Sequence, residues 1–265
     1  MIKGRNIFIF YIPLPSPWPF LLRGGIFNMF CALLIWAEGG VSRTFLAGFM
    51  FAGLVITALW FLDVHWERGR LGHSSFEMDS SLKISMIWFI RREVIFFFSF
   101  FFSYIAFDRC TEITTGATWP PIFIPSVIAT TIPLLNTMIL LRRGLSLTWC
   151  HHIILAGKRR RSILALLITI LLAICFTLLQ LFEYLECSFS LNDSSFGRIF
   201  FIATGFHGLH VMLGSAMLLV CGFQILKDNA CRNRTHVLFE MRSWYWHFVD
   251  VVWLFLFLII YCNVL

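Results

Sequence analysis

Long apolar runs separated by short polar connections make up most of this chain. A membrane-spanning helix needs about 20 mostly apolar residues, whereas a lipid-facing strand alternates apolar and polar positions, which these runs do not. We therefore predict an all-α integral membrane protein with seven transmembrane helices. The predicted spans lie roughly at 20–37, 44–62, 84–107, 122–143, 162–183, 198–223 and 243–262. The longest polar connection, 63–83, is too short to fold alone, so residues 1–265 are predicted to form a single polytopic membrane domain.

Composition indicates the same class of protein. Hydrophobic residues make up 59% of the chain and charged residues 13%, and the mean hydropathy is +0.82. A soluble domain cannot hide that much apolar surface in one core. The formal charge of +7 is therefore interpreted as basic residues that set the membrane orientation and attract anionic lipid, and not as a sign of nucleic-acid binding.

The basic residues are strongly biased toward one side of the predicted topology. With the N-terminus inside, the opposite side keeps only Arg43, Arg109 and Arg198, while Arg142 and Arg143 join the inner group. Lys and Arg are retained on the side from which a chain inserts. An odd number of spans then places the C-terminus outside.

The third predicted span is interrupted by the charged triplet Arg91, Arg92 and Glu93. An ionised side chain inside a membrane is costly unless it is paired or faces water. Two interpretations of Glu93 stay open at this point. One is a structural contact with Arg92 or a neighbouring helix, and the other is a carboxyl that buffers or relays protons.

Four further polar residues lie in the last two predicted spans. His207 and His210 are three residues apart and share a helix face, as do His247 and Asp250. We interpret all four as buried polar residues at helix contacts, because two histidines without a nearby cysteine or carboxylate are a weak metal signal. No metal site and no catalytic residue is predicted. An alternative interpretation is a seven-helix transporter or receptor whose polar cavity is lined by His207, His210 and Asp250.

The eight cysteines show no CxxC spacing and no pairing typical of a metal site. Most are expected to be small apolar core residues. Cys110 and Cys187 both fall on the predicted outer side, so a disulfide between them is one option that the spacing leaves open.

Five motifs occur together and in the order found in one family of membrane proteins. They are PSPWP at 15–19, IPLLNT at 132–137, TWCHH at 148–152, FIATGFHGLHV at 201–211 and WYWHFVDVVW at 244–253. Through these motifs the chain closely resembles cytochrome c oxidase subunit III, from about Pro15 to Tyr261.

The resemblance implies a non-redox core subunit of the haem–copper terminal oxidase, respiratory complex IV, which transfers electrons from cytochrome c to oxygen while pumping protons. It implies that the chain binds no cofactor directly, that haem and copper lie in partner subunits, and that structural phospholipids are bound. The implied fold is a two-helix and a five-helix bundle forming a V-shaped lipid cleft. The implied partners are subunit I, other oxidase subunits and phospholipids. The implied location is the mitochondrial inner membrane, with the N-terminus on the matrix side and the C-terminus on the intermembrane-space side; a bacterial plasma membrane is the less favoured location.

The resemblance also assigns an expected role to Glu93. The residue matches the membrane carboxyl of the family that supports proton uptake into subunit I. Arg91 and Arg92 stand where the family usually has neutral residues. Direct pairing with these arginines is expected to weaken a proton-buffering role.

Contacts with lipid head groups are the second role that the resemblance implies. The matching residues are Trp60, Phe61, Glu67, His73 and Lys227. Phe61 stands in place of a tryptophan, so the contacts are expected to differ in detail. Lys227 is included because the arginine common nearby in the family is replaced by a glutamine here, and the lysine is expected to take over its phosphate contact.

Overall fold

The computed structural model describes residues 16–37, 43–70, 76–111, 118–121, 124, 129–227 and 232–262. In these ranges the chain is helical and contains no strand, which confirms the all-α prediction. The described α-helices are α1 Trp18–Ala37, α2 Arg43–Arg70, α3 Phe76–Arg109, α4 Ile132–Leu155, α5 Arg159–Glu186, α6 Ser195–Lys227 and α7 Arg232–Leu256. A π-helical turn, Phe257–Tyr261, continues α7.

Three helical segments among the described residues are long and apolar enough to cross a membrane. They are Arg159–Glu186, Ser195–Leu226 and His236–Tyr261. α3 and α4 are of comparable length, but each carries arginines inside its apolar sequence. Seven helices therefore match the predicted number and order, while seven complete membrane crossings stay a prediction.

The start of α4 corrects the predicted span 122–143. The helix begins at Ile132, so that Pro133 lies in its first turn. Proline is tolerated there because the first backbone N–H groups of a helix have no intrahelical partner, whereas in a helix interior it removes a hydrogen bond and clashes with the preceding turn. A helix from residue 122 would have placed Pro133 in its interior. The consequence is that Arg143 lies near the middle of α4 and not at its end.

A glycine turn separates α4 from α5. Gly157 has a φ of 71°, a left-handed conformation that glycine adopts without steric cost. The Lys158 N–H donates to the Ile153 carbonyl at 3.2 Å, and the Gly157 N–H donates to the Ile154 carbonyl at 3.0 Å. These two bonds satisfy carbonyl groups at the end of α4 and form a Schellman motif.

The chain divides into two compact units, Met1–Ser81 and Leu82–Leu265. In the first unit α1 packs against α2. The Trp18 indole N–H donates to Asp63 Oδ2 at 2.7 Å, which ties the start of α1 to the second half of α2. α1 and α2 therefore run antiparallel. The predicted single domain and the predicted V-shaped lipid cleft stay predictions.

The second unit contains α4 to α7 and most of α3. α4 packs against α5 and α7, and α6 packs against α5 and α7. Large aromatic side chains fill the interior, with Phe176 edge-on to Trp253 at a centroid distance of 4.8 Å. Gly214 leaves room on α6 for the Trp246 ring of α7, since a Cβ there would lie 2.9 Å from Trp246 Cε3.

The outward faces of these helices are apolar. Leu185 is 76% exposed, and leucine, isoleucine and phenylalanine side chains on every helix from α3 to α7 are similarly uncovered. A soluble monomer rarely leaves so much contiguous apolar surface open. The outer surface therefore suits lipid tails or the apolar surfaces of other membrane subunits. On the described surface, Cys110 and Cys187 are free thiols and not a disulfide.

Candidate functional site

Glu93 lies on the inward side of α3 with 11% of its side chain exposed. Arg92 Nη2 donates to Glu93 Oε1 at 2.7 Å, and Arg92 Nε donates to the same oxygen at 3.2 Å. The Arg92 side chain itself is 71% exposed and covers the Phe89 ring at 4.9 Å. The carboxylate is thus paired with its own neighbour in sequence, as one of the two open interpretations expected, and that partner reaches the surface.

The second oxygen of Glu93 contacts a histidine on another helix. His210 Nε2 on α6 lies 3.1 Å from Glu93 Oε2. The other ring nitrogen, Nδ1, lies 2.7 Å from the Phe206 carbonyl. A carbonyl only accepts hydrogen bonds, so Nδ1 carries a proton and Nε2 of the neutral ring does not. The contact between Nε2 and Oε2 therefore needs one proton, which either the imidazole or the carboxyl can carry.

Aromatic rings enclose the Glu93–His210 pair. Phe97 lies edge-on to the His210 ring at 5.0 Å, and Tyr245 stacks on the same ring at 6.3 Å. The Tyr245 hydroxyl is buried and receives no hydrogen bond from the described part of the chain. These rings lower the local dielectric response, which strengthens the electrostatic contact inside the pair.

Asp250 forms a second charged pair deeper in the bundle. Arg143 on α4 donates from Nε to Asp250 Oδ1 at 2.9 Å, and its Nη2 lies 2.8 Å from the same oxygen. Arg143 is 0% exposed and lies over the rings of Phe176 at 4.7 Å and Trp246 at 5.0 Å. A Cβ at Gly144 would lie 3.3 Å from Asp250 Oδ2, so the backbone of α4 lies close to the carboxylate at this glycine.

The assignment of Arg143 to the inner basic surface is wrong. The residue is the long-range partner of Asp250, separated from it by 107 positions. Sequence reasoning missed the pair because the predicted span ended at Arg143. One signal was available. An arginine within one apolar helix and an aspartate within another each need a partner, which predicts that the two are paired.

His207 takes part in helix packing near this pair, whereas the predicted burial of His247 is wrong, because 39% of its side chain is exposed. His207 Nε2 lies 3.2 Å from the Val249 carbonyl, so α6 bonds to the α7 backbone, and its ring packs on Trp253 at 5.1 Å. His247 Nδ1 lies 3.8 Å from Asp250 Oδ2, one turn away on the same helix. Within the described ranges, no cluster of three or more histidine, cysteine, aspartate or glutamate side chains is arranged to hold a metal ion.

The residues expected to contact lipid head groups are only partly described. Trp60 lies half-buried on α2. Phe61, Glu67 and Lys227 lie on helices, but their side chains fall outside the described residues, and His73 falls outside them altogether. At the end of α6, Arg242 Nη1 donates to Gln224 Oε1 at 2.9 Å.

Comparison with known proteins shows which family combines these helices and motifs. The family described as cytochrome c oxidase subunit III matches residues 8–264. Cytochrome c oxidase subunit 3 of Loxodonta africana is 42% identical over 247 residues, covering 93% of this chain and 94% of that protein. The Pelomedusa subrufa protein of the same name is 40% identical over 252 residues, covering 95% and 96%. The Paracentrotus lividus protein is 41% identical over 255 residues, again covering 95% and 96%. With a match over nearly its whole length, the chain belongs to the cytochrome c oxidase subunit III family.

Proposed function

We propose that the chain is a non-redox core subunit of cytochrome c oxidase that stabilises the catalytic subunit, binds structural phospholipid and supports proton uptake. The observation that carries this proposal is the family match over residues 8–264. Haem and copper would lie in partner subunits, with subunit I as the main partner. The apolar outer surface of α3 to α7 supports assembly with other membrane subunits.

The Glu93–His210 pair is the chemical basis of the proposed support for proton uptake. The pair needs one proton between Glu93 Oε2 and His210 Nε2. Arg92, which contacts the other oxygen of Glu93, is 71% exposed and connects the pair to the surface. An arginine at this position can swing toward water or a lipid phosphate, because its long side chain reaches an interface while its stem stays on apolar surface. When Arg92 moves away or returns, the Glu93 carboxylate loses or regains its cationic partner. The division of the proton between Glu93 and His210 then changes.

Lipid binding and orientation complete the proposal. Trp60, Phe61, Glu67, His73 and Lys227 are the proposed head-group contacts. The chain would lie in the mitochondrial inner membrane with its N-terminus on the matrix side, which the bias of Lys and Arg supports. Mass spectrometry of the purified complex would identify a phospholipid that is lost when Trp60 and Glu67 are replaced together by alanine.

The main experiment is mild purification of the native protein from its own membrane, followed by a haem absorption spectrum and an inventory of subunits. We expect stoichiometric haem a and two larger oxidase subunits. A stable, haem-free single polypeptide would contradict the proposal. Asp250 and His207 are held in packing contacts with α4 and α7, so the observed geometry does not favour a transporter cavity built on them.

A further inference from the structure

A buried polar layer near the ends of α4, α5 and α7 takes no part in the functions discussed above. It consists of Asn136 on α4, Gln180 and Glu183 on α5, and Tyr261 on the π-helical turn. All four side chains are buried, and the Glu183 residue is only 3% exposed. The Asn136 amide donates from Nδ2 to Gln180 Oε1 at 3.5 Å, which links α4 to α5.

The hydrogen bonding of this layer is incomplete. Neither carboxyl oxygen of Glu183 has a hydrogen-bond partner among the described residues, and the same is true of Gln180 Nε2 and the Tyr261 hydroxyl. Gln180 and Tyr261 are nevertheless the hydrogen-bonding neighbours of the Glu183 carboxyl. The groups that could complete the bonding of the carboxyl are therefore one amide and one hydroxyl, and both are uncharged.

Glu183 differs from the other two buried carboxyls, Glu93 and Asp250, because no cation among the described residues faces it. The titratable groups around it within the described ranges are Tyr184, Cys187 and Tyr261. Glu93 and Asp250, in contrast, each contact an arginine within 2.8 Å. A carboxylate buried in apolar surroundings without a positive partner is far more costly than the neutral acid, so such a group takes up a proton.

The neighbouring amide and hydroxyl also accommodate the acid form, while burial without a cation among the described residues is what favours it. An ionised carboxylate offers only acceptors, whereas a protonated one offers an acceptor and an O–H donor. The acid can accept from Gln180 Nε2 with one oxygen and donate to the Tyr261 hydroxyl oxygen with the other. Small rotations about side-chain bonds would complete both hydrogen bonds.

We infer that Glu183 is a second proton-binding site of the subunit, occupied as a neutral carboxylic acid between α5 and the π-helical turn. The site is separate from the Glu93–His210 pair and involves different helices. The inference does not depend on the proposed function, because it concerns contacts within this chain alone.

Infrared difference spectroscopy of the purified complex tests the inference. The spectrum of Glu183→Gln subtracted from that of the natural protein should show the loss of the C=O band of a protonated carboxylic acid, and that band should shift to lower frequency in D2O. Glu186→Gln is the matched control, since Glu186 lies one turn along α5 and is exposed. The control should lose ionised-carboxylate bands only. Loss of carboxylate bands in both variants would overturn the inference.

A second variant keeps the test decisive if assembly is affected. Glutamine resembles a neutral acid in size and charge, so failure of Glu183→Gln to assemble would also count against a neutral Glu183. Tyr261→Phe retains the carboxyl and removes its hydroxyl neighbour. We expect the acid band to persist in Tyr261→Phe and to move to higher frequency, because the carboxyl loses a hydrogen-bond partner. An unchanged band would contradict the assigned contact.

Discussion

Two charged pairs in the second unit look alike in composition and differ in where the arginine lies. Glu93 and Asp250 both have 11% of their side chains exposed, and both contact an arginine and a histidine. Arg143 is fully buried beside Asp250, whereas Arg92 beside Glu93 is 71% exposed. The histidine contact is 3.8 Å at Asp250 and 3.1 Å at Glu93.

If the proposed proton uptake is correct, the same residue types support structure at one pair and proton chemistry at the other. Arg143 is enclosed by Phe176, Trp246 and the Asp250 carboxylate. If Arg143 moved away, the Asp250 carboxylate would be left buried and unpaired. Arg92 is largely exposed and can move away, which leaves Glu93 in contact with His210. We therefore propose that the Asp250–Arg143 pair contributes to stability and that the Glu93–His210 pair serves the proposed proton uptake.

The largest expected effect is on assembly. Asp250→Leu leaves Arg143 buried and unpaired, and breaking a buried pair in this way costs about 3–5 kcal/mol. We expect little or no assembled subunit, measured as its amount in the purified complex and as thermal stability. The double variant Asp250→Leu with Arg143→Met removes both charges and should recover much of the lost stability. A double variant as poor as the single one would contradict the assignment.

A smaller effect on stability and a clear effect on activity are expected at Glu93. Glu93→Gln keeps the side-chain volume and removes the group that shares a proton with His210. We expect normal assembly and a severalfold lower rate of proton uptake, measured with reconstituted complex and a pH indicator. If the yield of complex falls while proton uptake per assembled complex is unchanged, Glu93 belongs with Asp250 as a structural residue.

His210 tests whether the two partners act as one unit. His210→Gln should lower proton uptake about as much as Glu93→Gln does, and the two changes combined should be no worse than either alone. Residues in direct contact show such non-additivity, whereas distant independent sites add. His207→Gln is the matched control on the same helix, and it should reduce stability through the lost contact with the Val249 carbonyl. Additive effects of Glu93 and His210 on the uptake rate would separate the two residues.

The smallest expected effect is at Arg92. Arg92 is largely exposed and His210 still contacts Glu93 without it, so Arg92→Gln should cost only about 0–1 kcal/mol and leave thermal stability nearly unchanged. Arg91→Gln is the control, since Arg91 lies over Trp88 at 5.0 Å and is also exposed. A loss of stability comparable with that of Asp250→Leu would remove the distinction between the two pairs.

Local sequence patterns predicted the parts of this molecule that depend on local physics. The helices follow from apolar runs, the contact between Arg92 and Glu93 joins neighbours in sequence, and the proximity of His247 to Asp250 follows from helical periodicity. The contact of Glu93 with His210 joins residues 117 positions apart. The sequence predicts that Glu93 contacts Arg92 or a neighbouring helix, but not which residue of that helix.

The Asp250–Arg143 pair could not be predicted once the start of α4 was misplaced. A span of 122–143 ends at Arg143 and makes that residue a surface cation, whereas a helix from Ile132 carries it into the interior. The surroundings of Glu183 depend on how three helical segments meet, namely α4, α5 and the π-helical turn. No single segment contains that information, so local patterns could not predict it.

The most direct test of the central distinction is to prepare Glu93→Gln and Asp250→Leu in parallel and to measure proton uptake per assembled complex. We predict a full yield of Glu93→Gln complex with slowed proton uptake, and a strongly reduced yield of Asp250→Leu complex. Slowed uptake per complex in Asp250→Leu at full yield, together with normal uptake in Glu93→Gln, would contradict the assignment of function to one pair and stability to the other.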